Sequence, residues 1–364
     1  MDTVDVRRFS RHLINCAGDK RLSTPLKIEI ALTNKCNSRC AHCSNYSKLR
    51  NISKFFSVDF LDDIISCNPL EIILTGGEPL LHPDFVDIVK RIKKNKIFVT
   101  ILSNGSLIDT QIIERIKEAG FTDGDVFQIS CDAPDKQTYT LQRGVDLFQA
   151  TIEGIKRLQE AGLCTELHVV PTRINIDKIS DIVKLAEALK CNYISGGPYA
   201  PFGQQIENLE CSSEQLFEVN KMIENQVKNY QIKYLGGIEG ERCSNKKMLV
   251  DLAENKKIKE RQRKYLCAAG RNSCYIDENA DVYPCVYLMA AYSKLGNLNY
   301  NSLLEIWNSE KLSEYRNGLS LKTTKCENCL FWNQCGGGCL GVSSYTQGKL
   351  VPGFDPRCYL NGEQ

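Results

Sequence analysis

Three cysteines stand together near the start of the chain in the segment CNSRCAHC: Cys36, Cys40 and Cys43, spaced C-x3-C-x2-C. Thiolates at that spacing on one short loop can wrap a corner of a cubane iron–sulfur cluster and leave its fourth iron without a protein ligand. An open iron can be chelated by a small molecule and pass it an electron, much as an open coordination position serves catalytic zinc. On spacing alone, a zinc knuckle completed by His42, or three buried thiols, are alternatives. A second group is denser: Cys326, Cys329, Cys335 and Cys339 run as C-x2-C-x5-C-x3-C, with Cys358 beyond them and Cys267, Cys274 and Cys285 before. These thiolates suffice for two four-coordinate clusters, although two zinc-ribbon sites satisfy the same spacing. With 18 cysteines against 4 histidines, all-sulfur metal ligation is favoured over disulfides for a chain in a reducing compartment.

The elements that must position these loops alternate in type. Short apolar runs at Lys27–Leu32, Glu71–Thr75, Phe98–Ser103, Val126–Cys131, Glu166–Val170 and Asn192–Ser195 read as strands. Helical stripes lie between them at Val58–Ser66, Asp84–Lys94, Asp109–Ala119, Leu147–Ala161 and Ile176–Lys190. Repeated β-α units imply parallel strands with right-handed crossovers. The fold class is therefore α/β, an open parallel sheet or a full or partial barrel, with ligands at the C-terminal strand ends. Two further amphipathic helices, Ser212–Asn229 and Lys246–Lys264, bridge to the rest. The basic run at Lys256–Lys264 reads as a solvated helix face. From Cys267 onward the pattern is too irregular for a large apolar core, and metal must staple it.

The cysteine loop follows the first strand, and other chemistry-bearing residues fall at the same rim. The second strand ends in TGGEPLL with Gly76, Gly77 and Glu78, where glycines permit close approach of a ligand to the backbone. The third ends in Ser103, Asn104 and Gly105. The fourth ends in SCDAP, with Ser130 and Asp132, and QRG with Arg143 follows. Taken singly each is an ordinary turn; their convergence on one rim marks a site.

C-x3-C-x2-C followed by GGEP at a strand end resembles the core of the radical S-adenosylmethionine (SAM) superfamily. The resemblance implies a partial (β/α)6 TIM-like barrel in which Cys36, Cys40 and Cys43 hold a [4Fe–4S] cluster that chelates SAM and cleaves it reductively to a 5′-deoxyadenosyl radical. It places Gly76, Gly77 and Glu78 at the methionyl amino group, Ser103 and Asn104 near the ribose, Ser130 also near SAM, and Arg143 near the carboxylate. His42 stands where the family has an aromatic residue against the adenine. The C-terminal cysteines resemble the SPASM domain, which carries two auxiliary [4Fe–4S] clusters, for three clusters in all. By that resemblance one is held by Cys267, Cys274, Cys285 and Cys339, the other by Cys326, Cys329, Cys335 and Cys358. Ala280 replaces a frequent glycine before the VYPC turn. The implied domains are an extension over 1–25, the barrel over 26–205, a helical bridge over 206–264 and the SPASM domain over 265–364.

SPASM enzymes mostly modify peptides, which makes a ribosomally made peptide the expected substrate, with a cross-link, an epimerised centre or an oxidation as product. A reductant such as flavodoxin or ferredoxin is the implied partner. Val286 follows Cys285 where formylglycine-forming enzymes of the family place an aspartate, which argues against that product. Only a short stretch precedes the first strand, so no separate leader-binding domain is expected. Oxidation of a small metabolite, an aminoglycoside or a tetrapyrrole, is the alternative. Of the scattered Cys16, Cys67, Cys131, Cys164, Cys191, Cys211 and Cys243, most read as small buried hydrophobes. Cys243 lies in a polar loop and is the candidate hydrogen-atom donor for an epimerisation. The net charge of +2, from 46 basic and 44 acidic residues, gives no field to recruit nucleic acid or anionic lipid. No apolar run nears the roughly 20 residues of a membrane span, and MDTVDVRR lacks a signal-peptide core, so a cytoplasmic location is expected.

Overall fold

The computed structural model describes residues 22–44, 52–200, 202, 208–238, 267–289, 293–318, 326, 338–347, 355 and 358. Cys243, Cys329, Cys335, the helix expected over Lys246–Lys264 and most of the 1–25 extension lie outside the described residues. In chain order the strands and helices that follow are β1 (Lys27–Ala31), α1 (Leu61–Ser66), β2 (Glu71–Thr75), α2 (Phe85–Lys94), β3 (Phe98–Ser103), α3 (Thr110–Glu118), β4 (Val126–Ser130), α4 (Lys136–Arg143), α5 (Phe148–Glu160), β5 (Cys164–Val169), α6 (Ile179–Ala188), β6 (Tyr193–Gly196), α7 (Ser213–Gln226), β7 (Lys233–Tyr234), β8 (Ser273–Ile276), β9 (Asp281–Tyr283), β10 (Gly296–Asn297), α8 (Leu303–Trp307), α9 (Glu310–Gly318) and α10 (Leu340–Gln347).

The chain divides into two compact units. One comprises residues 30–61 and 71–239, the other residues 1–29, 62–70 and 240–364. In the first unit β2 to β7 pair in chain order, every pair parallel, with Ile73 opposite Thr100, Ile101 opposite Phe127, Gln128 opposite Glu166 and His168 opposite Ser195. Each parallel step needs a helix-sized return, and the sequence supplies it. Helix α2 shows why. Phe85, Val86, Ile88, Val89 and Ile92 recur at helical spacing, all are buried, and Arg91, Lys93 and Lys94 crowd its last turn, where cations complement the helix dipole. Each fully buried apolar side chain of this kind contributes roughly 1.5–3 kcal/mol. Helix α3 starts at Asp109, whose carboxylate accepts from Ile112 N at 2.7 Å, a cap worth about 1 kcal/mol.

Two elements depart from the sequence reading. Helix α7 falls within the helix expected over Ser212–Asn229, whereas the short β7 at 233–234, parallel to β6, was not expected. Helix α4 was not anticipated at all. Only Tyr139 and Leu141 are apolar, and Leu141 is 62% exposed. Its buried side chains are Thr138, Tyr139, Gln142 and Arg143, mostly polar because the helix packs onto the cysteine loop rather than onto an apolar core.

In the second unit β8, β9 and β10 form an antiparallel ribbon. Asp277 Oδ1 accepts from Asn279 N at 2.9 Å and Asp281 N at 3.1 Å, which closes the β8–β9 turn. Ala280 takes a φ of 64° there, the left-handed conformation that suits glycine. Trp307, 1% exposed, anchors this unit's core beneath the Arg316 guanidinium. No described helix is long and apolar enough to cross a membrane.

Candidate active site

The loop carrying Cys36, Cys40 and Cys43 is held by backbone bonds from two sides. Gly77 N donates to Thr33 O at 2.6 Å and Glu78 N to Lys35 O at 2.8 Å. From the other side, the end of α4 accepts from the loop: Arg39 N to Arg143 O at 3.0 Å and Ala41 N to Gln142 O at 2.9 Å. The glycines of GGE are required by this packing. A Cβ on Gly77 would lie 2.2 Å from Lys35 O, and one on Gly76, at φ 137°, 2.4 Å from Thr33 O. The space a side chain would take at either glycine is thus filled by the cysteine loop's own backbone.

Glu78 is wholly buried. Its carboxylate accepts from Ser103 Oγ at 2.8 Å, Asn104 N at 2.8 Å and Leu80 N at 3.3 Å, so it ties the end of β2 to the end of β3. Asn104 Nδ2 in turn donates to Asn37 Oδ1 in the cysteine loop at 2.7 Å. Burial pushes the Glu78 carboxyl up to about 7, against the opposing pull of the Asn104, Ser103 and Leu80 donors and of Arg143. A folded-state value above the unfolded one means a contribution present at low pH and lost as pH rises. Between about 4.5 and about 7 the folded protein keeps a proton the unfolded chain has released, so roughly 3 kcal/mol of stability is lost across that window. Unfolding midpoints measured across it should fall with pH, and Glu78→Gln should flatten that slope. An unchanged slope in the variant would assign it to other groups.

Arg143 and Asp132 form a buried ion pair at 2.6 Å, with side chains 6% and 0% exposed. Arg143 Nη1 also donates to Cys40 Sγ at 3.6 Å. Burial alone would lower the Arg143 pKa, yet Asp132 and Cys40 outweigh it and raise the value. Arg143 Nε and Ser38 Oγ are buried without a hydrogen-bond partner among the described residues. The thiols are costly to ionise here: burial pushes Cys36 up to about 11 and raises Cys40 as well. Only a bound cation draws such groups out as thiolates. The orphaned donors beside them suit an anionic or carboxylate-bearing ligand.

His42 is placed by both ring nitrogens. Thr172 Oγ1 donates to Gln142 Oε1 at 2.8 Å, which leaves Gln142 Nε2 as the donor to His42 Nδ1 at 3.0 Å. His42 Nε2 therefore carries the proton and faces Asp132 Oδ2 at 3.5 Å. Burial holds the imidazole down at about 4, so it is neutral and only its face is available to a planar group. That arrangement also removes it as the fourth ligand of a zinc knuckle. Among the described residues, no three His, Cys, Asp or Glu groups converge on one ion position. Ser130, half-buried at the end of β4, stands opposite His168 on β5.

Residues 30–186 match the Radical SAM superfamily, and residues 267–330 match SPASM, an iron–sulfur cluster-binding domain. The chain is a radical SAM enzyme with a SPASM domain. Mycofactocin maturase MftC of Mycobacterium tuberculosis is 26% identical over 349 residues, covering 93% of this chain and 84% of that one. The AdoMet-dependent heme synthase of Methanosarcina barkeri is 26% identical over 328 residues, 86% of this chain and 91% of that one. The crystal structure of Streptococcus suis SuiB bound to precursor peptide SuiA superposes with a TM-score of 0.76 at 21% identity, over 93% of this chain and 77% of that one. At that identity the likeness shows the fold.

Within the SPASM domain the structure sorts the cysteines. The Cys285 thiol, pushed up by burial, is raised further by Cys267 and Cys339 beside it. Cys339 N donates to Asp355 Oδ2 at 2.8 Å, and Cys358 N to Asp355 O at 2.9 Å, so one aspartate orders two cysteine segments. Cys274, expected in one set with Cys267, Cys285 and Cys339, has a different neighbour. It is 2% exposed on β8, and burial raises its thiol with a further push from Cys67, just after α1. Tyr275, next along the strand, feels Glu29, as Cys285 does. Successive strand residues face opposite sides, so Cys274 and Tyr275 point to opposite faces of β8.

Sequence reading overlooked Asp132 as the pivot of Arg143, His42 and Val170 N, and Gln142 as the group that orients His42. Both stand in segments the sequence singles out, Asp132 in SCDAP and Gln142 in QRG, without a role for either. The roles emerge only where α4 carries Gln142 and Arg143 to the loop and Asp132, after β4, meets them.

Proposed function

We propose that this enzyme abstracts a hydrogen atom from a ribosomally made peptide by way of a 5′-deoxyadenosyl radical. The observation that carries the reading is the buried Arg143, bonded to both Asp132 and the Cys40 sulfur, with an unsatisfied Nε at the cysteine loop. A [4Fe–4S] cluster on Cys36, Cys40 and Cys43 would supply the electron that cleaves SAM. Around it, Arg143 would bind the SAM carboxylate. Asp132 would keep that guanidinium in place, and His42 would offer its face to the adenine. Glu78, with Ser103 and Asn104, would hold the rim rather than touch SAM. In the SPASM domain, Cys267, Cys285 and Cys339 belong to one further cluster and Cys326, Cys329, Cys335 and Cys358 to another, three in all. A flavodoxin or ferredoxin would be the reductant. The peptide is supported by the name of the maturase MftC and by the precursor peptide bound to SuiB.

The heme synthase relatives favour a second reading, oxidation of a tetrapyrrole side chain. The deciding experiment co-expresses the enzyme anaerobically with short open reading frames beside its gene and weighs the peptides. A mass lower by two hydrogens, or one deuterium gained in D2O without other change, supports the peptide. Unchanged peptides with SAM still cleaved would overturn it in favour of the small molecule.

A further inference from the structure

Four polar side chains lie inside the barrel unit on three neighbouring strands and take no part in holding the cysteine loop. On β5, Leu167 and Val169 are fully buried, and Glu166 and His168 alternate with them onto the other face. The register sets Gln128 of β4 beside Glu166, and Ser195 of β6 beside His168. Glu166 Oε1 accepts from Gln128 Nε2 at 2.6 Å and from Ser195 Oγ at 2.5 Å. Glu166 Oε1 is the acceptor in both bonds, the role an ionised carboxylate oxygen fills. Ser195 has one hydroxyl proton, and it is given to Glu166. The 2.8 Å bond between Ser195 Oγ and His168 Nδ1 must then run from the ring, with the proton on Nδ1. In the neutral ring Nε2 is left with a bare lone pair. No hydrogen bond reaches that nitrogen among the described residues, and a Cβ built on Gly197 would lie 3.6 Å from it. His168 stands one residue from the C-terminal end of β5, the end where ligands bind in parallel sheets.

We propose that His168 is the base that takes a proton from the substrate radical, with Ser195 and Glu166 as its positioning residues. The inference rests on the radical reading above and deepens it by choosing among the products. Once a substrate C–H hydrogen atom has passed to the 5′-deoxyadenosyl carbon, an adjacent N–H, O–H or S–H bond gives its proton to Nε2. The electron left behind passes to a one-electron acceptor of the iron–sulfur class. Two hydrogens are lost in all, as a new bond or an unsaturation. The imidazolium formed is balanced through Ser195 by the Glu166 carboxylate. Epimerisation needs no base and instead needs a thiol presented to the radical. The charged and titratable groups around His168 are Glu166 on its own strand, Asp132 after β4, Arg143 on α4 and His42 in the cysteine loop. Burial, the largest influence, holds His168 below the usual histidine range, so at neutral pH it is ready to accept.

Two measurements on the anaerobic holoenzyme test this. Diethyl pyrocarbonate acts on bare imidazole nitrogens. Peptide mapping at neutral pH should find it on His168, and an unmodified His168 would overturn the proposal whatever the substrate is. With any peptide the wild type processes, His168→Gln should still release 5′-deoxyadenosine but form the product about 100-fold more slowly, within the range of general-base catalysis. Imidazole should rescue His168→Ala. Glu166→Gln removes a charge that raises the His168 pKa, so the rising limb of the product-rate profile should move to lower pH, which a merely structural role would not produce. A product rate within about threefold of wild type in His168→Gln would sink the base. Failure of the peptide reading looks different: every peptide untouched by the wild type, with His168 still labelled.

Discussion

Replacing Arg143 with methionine is expected to lower the stability of the barrel unit by about 3–5 kcal/mol and to abolish SAM cleavage. The reason is the burial of its partner. Asp132 is 0% exposed, and although Val170 N donates to its Oδ1 at 2.7 Å, Oδ2 would face no cation. Breaking a buried pair on one side costs this much because the remaining charge is left in a poor solvent, whereas removing both charges costs far less. A double variant, Arg143→Met with Asp132→Leu, should therefore recover most of the stability. It should not recover 5′-deoxyadenosine formation, because the guanidinium beside Cys40 is still missing. Anaerobic denaturant titrations and product release, measured on the same three proteins, separate the two effects. If the double variant is as unstable as the single one, the pair is not what Arg143 contributes.

The SPASM cysteines give the second large effect. Cys285→Ala should cost up to about four irons per chain, one cubane cluster, because Cys285 sits with Cys267 and Cys339. Cys274→Ala should keep its full iron content. Its thiol lies beside Cys67, and alanine there merely shortens a buried side chain. Iron and sulfide analysis of the two reconstituted variants decides the matter. An equal loss from Cys274→Ala would restore it to the ligand set.

Strands β2 and β3 match their expected bounds to the residue, and β1, β4 and β6 differ by one, because apolar runs buried on both faces of a parallel sheet leave a continuous signal. Strand β5 starts two residues before Glu166, at the buried Cys164 and Thr165. Helix α4 was illegible for the opposite reason. Its buried face is Thr138, Gln142 and Arg143, polar residues whose burial is explained only by the loop they bind. The motif residues were legible as a set but not in their roles. GGE suggests a ligand cradle, and the structure adds a second demand on it: glycines packed on the loop's backbone and a carboxylate bonded to Ser103 and Asn104. Glu166 and His168, at alternate positions of an otherwise buried strand, carried a period-two signal that sequence reading did not take up.

The backbone clasp around the cysteine loop has one more consequence. Its four hydrogen bonds, from Gly77, Glu78, Arg39 and Ala41, involve no sulfur and no metal. The loop should therefore keep its shape when air strips the iron, with the amide protons of Arg39 and Ala41 slow to exchange with solvent. Repair after oxidative damage then amounts to redelivery of iron and sulfide to a standing mould, with no refolding step between the damaged enzyme and the working one.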